Sequence, residues 1–599
     1  MKMKITIIGI LLSVAICVIS CKNERSQSEK EATINESENF ETMLADYYED
    51  GLILNPVNAT NSGDSRYNDQ FPNPLSAEHI SKMKAYYSEY KNNVASYDRS
   101  SLTESQKMSL DILTWECDIN LEYLSFKNHE YFPIDQMWSI NLSFGQLASG
   151  AGAQPFKTVE DYKNWGQRVT GYLNWLTSVE TNMRKGATEG YVLPKSLIKK
   201  VIPQLAAMTT PDIKKHLFYS PIINLPASFN EEDKKQITEE YTIMITQNVI
   251  PTYKRLHDYL AGDYLTSGRE TTGISEIPDG GDYYKHQIKK YTTTTMTADE
   301  IHELGLQEVA RILSEMETIK NKISFKGDLK AFFNDVRSNP KLMPFQTPAE
   351  VIANFNAIHE TMKPQLEKLF GRKPKTLFEV RQTEAFREKS ASAEYNPGSL
   401  DGTRPGIFYT PIPDATKYNI YSDESLFLHE AIPGHHYQIS LTQENKDLSD
   451  FRKTLWYSGY GEGWALYSES LGKELGLYTD PYQYFGMLGA EMHRAIRLVV
   501  DTGMHAKGWS REKAIQYSLD NEAESEAGII SEIERYMANP GQALSYKIGQ
   551  LKIQELRKKA ADKMGARFDI RKFHNEVLET GCVPLALLEA KIDKWIEGN

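Results

Sequence analysis

Ser425-Leu-Phe-Leu428 runs directly into His429-Glu-Ala-Ile-Pro-Gly-His435-His436, so three of the chain's 13 histidines fall within eight residues. The first four residues are apolar and helical in character. A histidine followed by glutamate on a helix is half of a hydrolytic zinc site: the imidazole ligates the metal, and the carboxylate takes a proton from the water that the metal polarises. The common second ligand lies four residues on, where this chain has Pro433. In an unbroken helix, at ~1.5 Å rise per residue, His435 and His436 would sit ~9 and ~10.5 Å along the axis from His429. Two nitrogens each ~2.1 Å from one zinc ion are at most ~4 Å apart. The helix must therefore break between the ligands. Pro433 lacks the N–H that would bond back to the carbonyl of residue 429, and Gly434 tolerates unusual dihedrals.

A third ligand is expected from Gly461-Glu462-Gly-Trp-Ala-Leu-Tyr-Ser-Glu469. Trp464, Tyr467, Leu471 and Leu475 mark the buried stripe of a helix that begins here. Glu462 lies at its start, between two glycines that permit close approach to a metal. Glu469, two turns further, is the alternative ligand and otherwise a residue that orients one. The order His, Glu, His and then a distant Glu resembles that of the gluzincin peptidases. The segment also resembles the Asn-Glu-Gly-Phe-Ala stretch that carries the third ligand in thermolysin-like aminopeptidases.

Outside this core the chain has ordinary globular composition, with 599 residues, 40% hydrophobic and 25% charged. Its length is ample for a large core. A formal net charge of −13 argues against a broad electrostatic attraction to nucleic acid. At the start, Lys2 and Lys4 precede an apolar run, Ile5 to Ile19, too short for a comfortable membrane span. It ends Val18-Ile19-Ser20-Cys21, which resembles the lipobox of bacterial lipoproteins. The resemblance implies a signal peptide over 1–20, cleavage before Cys21, lipidation of Cys21 and a membrane anchor. The expected location is the cell envelope, outer membrane delivery included, on the periplasmic or exposed face. Residues 21–38 are polar and read as a flexible tether. Cys117 and Cys582 then remain, too few for a thiolate zinc site, and are expected as buried free thiols.

Residues 39–599 read as helix after helix, with one body or an N-terminal part over 39–290 and a catalytic part over 291–599. Thr297-Ala-Asp-Glu300 has the capping-box pattern and opens an apolar-periodic stretch through Leu304 and Ile312. Leu544, Ile548 and Leu551 recur at helical spacing, as do Leu588, Ile592 and Trp595. The clearest strand signal is Gly406-Ile-Phe-Tyr-Thr410, just upstream of the histidines. The expected fold is mainly α, a large helical body with a small β element beside the active-site helix.

Four segments together resemble one bacterial family: His429 to Gln438, Glu462-Gly-Trp-Ala-Leu-Tyr467, Arg497-Leu-Val-Val-Asp-Thr-Gly-Met-His505, and Arg535-Tyr-Met-Ala-Asn-Pro-Gly-Gln-Ala-Leu-Ser-Tyr546. The family is that catalogued as domain of unknown function 885, many of whose members are lipoproteins. The likeness spans most of the chain after the tether and is densest from Thr403 to Leu556. It implies a mainly helical zincin-like fold and metallopeptidase activity, without a secure substrate. In the family's pattern the histidine after Pro-Gly is fixed while its neighbour can be tyrosine, which favours His435 over His436.

The expected function is zinc-dependent hydrolysis of peptide bonds in short peptides, with His429, His435 and Glu462 on the metal and Glu430 as general base. An oxyanion donor is also needed. His505 comes first, with Asp501 one turn earlier to orient it, and then Tyr536 and Tyr546. Arg535 or Lys547 would receive a peptide carboxylate. The Gly406–Thr410 strand would pair with an extended substrate, placing Arg404 near the cleft. The competing reading is a non-catalytic lipoprotein that binds peptides or oligosaccharides around a structural metal. A glycosidase using paired carboxylates would leave the clustered histidines unexplained.

Overall fold

Apolar residues at three- and four-residue spacing coil into helices along nearly the whole chain. The computed structural model describes residues 36–598 except 151, 385–387, 389–391 and 400–403. The leader, Cys21 and most of the tether lie outside the described residues. Helical structure begins within the last positions expected as tether, since residues 36–54 form a helix.

In chain order, the helices include α1 (Val159–Thr188), α2 (Ala298–Lys322), α3 (Asp423–Glu430), α4 (His435–Glu444), α5 (Ser458–Ser470), α6 (Pro481–Ala506), α7 (Glu526–Ala538), α8 (Ser545–Met564) and α9 (Leu585–Gly598). Thr297 closes the expected capping box, its hydroxyl accepting from the Glu300 N–H while Glu300 accepts from the Thr297 N–H. Leu588 and Ile592 are fully buried on α9. The fold is mainly α.

Buried side chains fall into two clusters. The larger joins residues 40–117 to the C-terminal half and surrounds α3, α5, α6 and α8. The smaller centres on Trp165, Tyr172 and Trp175 of α1 and on residues up to Tyr264. Cys117 and Cys582 are both buried free thiols. Among the described residues no helix is long and apolar enough to cross a membrane.

The small β element is a three-stranded sheet of β1 (Phe378–Gln382), β2 (Glu394–Asn396) and β3 (Gly406–Thr410), in the order β1-β3-β2. β3 has the bounds that the sequence predicts, but it is the middle strand, parallel to β1 and antiparallel to β2. Both its edges are satisfied, so it offers no free edge to an extended peptide, and that expectation is corrected. The sheet is fastened to α4 through His436, whose Nδ1 lies 2.9 Å from the Tyr395 hydroxyl of β2.

Candidate metal centre

The helix breaks where the ligand spacing requires. α3 ends at Glu430, Ala431 leaves the helical region at φ −108°, ψ −107°, and α4 starts at His435. A Cβ at Gly434 would overlap the carbonyl oxygens of His429 and Leu428, so only glycine lets the chain fold back so closely on α3. Trp464 of α5 donates its Nε1–H to the Pro433 carbonyl at 2.8 Å. That bond ties the elbow between the first two histidines to the helix that carries Glu462.

The reversal brings the His429 and His435 rings edge to face, with centroids 4.9 Å apart. Glu462 Oε2 lies 3.6 Å from His429 Nε2 and 3.5 Å from His435 Nε2. One atom from each of the three residues falls within 4.8 Å of the others. Two imidazoles and a carboxylate are the donor set of a hydrolytic zinc site with an open position, and their spacing is within a small closure of a shared ion. Glu469 stands behind His429: its Oε1 accepts from Nδ1 at 2.7 Å while its Oε2 accepts from the Ser425 hydroxyl at 2.6 Å. A carboxylate there fixes the ring and presents the other nitrogen to the cluster. His435 has no such support, and its Nδ1 is buried without a partner.

Electrostatics follow from this packing. Burial alone would push the His429 imidazole down, but the Glu462 and Glu469 carboxylates outweigh it and lift it to about 9. Burial would likewise raise Glu462, yet the two imidazoles hold it far below the usual carboxylate range. Glu430 is raised by burial, against the pull of His429, His435 and Arg494.

Residues 56–592 match the family described as bacterial protein of unknown function, DUF885. The chain belongs to that family. A candidate lipoprotein from Colwellia psychrerythraea is similar in structure at 26% sequence identity with a TM-score of 0.85, covering 94% of this chain and 100% of its own. A candidate lipoprotein of unknown function from Shewanella oneidensis shares the fold at 17% identity and a TM-score of 0.69, covering 92% of this chain and 99% of its own. No curated protein matches the chain.

Around the centre of this DUF885 protein, Tyr546 is half-buried, and burial together with the neighbouring Glu462 carboxylate pushes its hydroxyl up. The Arg497 guanidinium lies over its ring, 4.5 Å from the centroid. Arg497 also donates to the Tyr536 hydroxyl at 2.9 Å and to Glu532 at 3.0 Å. Tyr536 in turn donates to Glu532 at 2.6 Å. Arg535 is held by Glu532 and by Gln542, the latter at 2.7 Å. Tyr536 and Arg535 thus belong to a paired network standing behind Tyr546. Lys547 is fully buried between Glu491 at 2.7 Å and Glu308 at 2.9 Å, so its charge is already matched.

His505 is fully buried with both ring nitrogens committed to the backbone: the Ile274 N–H donates to Nδ1, and Nε2 donates to the Tyr536 carbonyl, each at 3.0 Å. Burial pushes its pKa down to about 3. Asp501 faces elsewhere, accepting from the Tyr284 hydroxyl at 2.6 Å and from the Gly541 N–H at 3.2 Å. It does not orient His505. Arg404 is exposed just ahead of β3, its N–H donating to the Ser399 hydroxyl at 2.9 Å.

Two residues beside the centre escape the sequence reading. Trp456 is 47% exposed, and its ring lies 5.9 Å from that of His435. Arg494 lines a cavity of about 190 Å³ that also takes in Ser425, His429, Glu469, His493 and Glu522. The signal for Arg494 is its spacing: Arg494, Arg497, Asp501 and His505 make one polar stripe along α6.

Proposed function

We propose that this chain is a zinc-dependent peptidase acting on short peptides, with His429, His435 and Glu462 holding the ion and Glu430 as general base. The observation that carries the reading is the convergence of three ligand atoms, one each from α3, α4 and α5, within 4.8 Å of one another. When bound, zinc would supply Lewis acidity at a peptide carbonyl and ease the ionisation of water near neutral pH. Glu430 follows His429 directly, and among the described residues no protein donor occupies its carboxylate. It is free to take a proton from water and pass it to the leaving amine. The Tyr546 hydroxyl, on the Glu462 side, is the donor for the oxyanion. Arg497, Glu532, Arg535 and Tyr536 position it. Neither His505 nor Arg404 is assigned a role in the chemistry.

The lipobox-like stretch and the lipoprotein descriptions of the two solved relatives support a cell-envelope protein held at the membrane by lipid on Cys21. The test is a peptide-library digest by the purified mature protein with its metal content measured. About one zinc per chain is expected, with hydrolysis abolished by chelator and restored by zinc. Glu430→Gln should retain the metal and lose roughly three orders of magnitude in kcat. Hydrolysis at the normal rate by that variant, or turnover indifferent to chelator, rules the reading out. Peptide binding without turnover by the zinc-loaded protein would favour a binding lipoprotein instead.

A further inference from the structure

The cavity beside His429 holds a cation with no anion. Arg494 Nη1 donates only to the Ala490 carbonyl of its own helix, at 3.3 Å, and its Nε is buried without a partner. Among the described residues no carboxylate comes within ion-pair distance of it. The acids lining the same cavity are otherwise engaged. Glu522 is bonded to His493 at 2.6 Å, Glu469 to His429 and Ser425, and Glu524 to the Ser525 N–H at 2.6 Å. The neighbouring arginines of the region, Arg497 and Arg535, differ from it in sharing a direct ion pair with Glu532. A half-buried guanidinium left unmatched is costly unless a ligand brings the anion, and its planar donor fork fits a carboxylate. Arg494 and the candidate ligand His429 line this one cavity, so a group bound by the guanidinium lies beside the metal centre.

We infer that Arg494 receives the free C-terminal carboxylate of a peptide, so that the bond presented to the metal centre is the last one in the chain. This rests on the peptidase reading and makes the protein a carboxypeptidase. The cavity's size agrees: about 190 Å³ lies below the range of ~300–1,000 Å³ that encloses larger ligands and leaves room for one terminal residue. The recognised group is the terminal carboxylate, with acidic side chains as the competing source of the same chemistry.

The test separates binding from turnover. Calorimetry on the zinc-loaded Glu430→Gln protein compares an N-acetylated tripeptide as free acid, the same peptide as C-terminal amide, and an amide carrying an internal glutamate. The free acid is expected to bind about 10- to 100-fold tighter than either amide. Adding Arg494→Met should bring it to the amide level at unchanged zinc content, and Arg494→Lys should restore part of the difference. The wild-type protein should release residues singly from the C-terminus and leave the amide intact. Equal binding of acid and amide, no binding of either, a preference for the internal glutamate, or a preference that survives Arg494→Met overturns the assignment. Carboxylate-dependent binding without wild-type turnover would sink the peptidase reading and leave Arg494 as the carboxylate site. Internal or N-terminal cleavage at equal rates for acid and amide would do the reverse.

Discussion

His429 and His435 are nearly as buried as His505 and His574, at 4% and 7% exposure against 0% for the other two. What differs is what the rings touch. His429 has a carboxylate at each nitrogen, Glu469 on one and Glu462 on the other, and His435 shares Glu462. His505 is held by two backbone groups. His574 donates to the Leu369 carbonyl and lies 2.8 Å from the Tyr467 hydroxyl. Backbone carbonyls and hydroxyls satisfy a neutral ring where it lies and ask nothing further of it. Carboxylates gathered around two imidazoles form an anionic pocket that a cation completes. Burial alone therefore does not mark a candidate ligand. The charge of the partner does.

The largest effect expected from breaking this contrast is at His429. His429→Ala should lower zinc content from about one per chain to near none and peptide hydrolysis by at least ~1,000-fold, with the helical circular dichroism kept. Stoichiometric zinc in that variant would mean that the ligands lie elsewhere. Glu469→Gln sharpens the contrast at one remove. It keeps the shape and removes the charge behind His429, so zinc affinity should fall about 10- to 100-fold in competition with a chelator. An unchanged affinity would reduce Glu469 to packing.

The smallest effect concerns the second pair and is read in stability. Burial pushes both His505 and His574 down to about 3. Below about pH 6.5 the unfolded chain takes up these protons and the folded chain does not, so stability falls as pH drops from about 6.5 towards 3. Each ring should cost about 2 kcal/mol between pH 6.5 and 5. The melting temperature of His574→Gln should accordingly fall less steeply over that range than the wild type's. Parallel curves would show that the folded protein protonates this ring without penalty.

Much of the centre was legible because zinc geometry is strict. The six-residue gap from His429 to His435 forbids a continuous helix, and Pro433-Gly434 supplies the interruption. The Glu462–Glu469 choice was not legible, since residues seven apart share one helix face, and only the fold shows which is forward and which lies behind a ring. Asp501 and His505 read as a pair from their spacing of four. Tyr284 and Gly541, remote in sequence, reach Asp501 instead. The bounds of β3 were written in its aromatic, β-branched residues. Its central place was not, because β1 and β2 carry charged and polar side chains that look like loop.

The hydrogen bond from the Trp464 indole to the Pro433 carbonyl adds a second tie between two stretches already joined through Glu469. One stretch sets the spacing of the imidazoles and the other sets the height of Glu462. A Cβ on Gly463 would come within 2.5 Å of the Gly549 Cα, so the second stretch rests almost backbone to backbone on α8. Any tilt of α8 is thereby handed on through Glu462 and the indole to both rings at once, and the centre shifts as one rigid piece instead of losing its donors one by one.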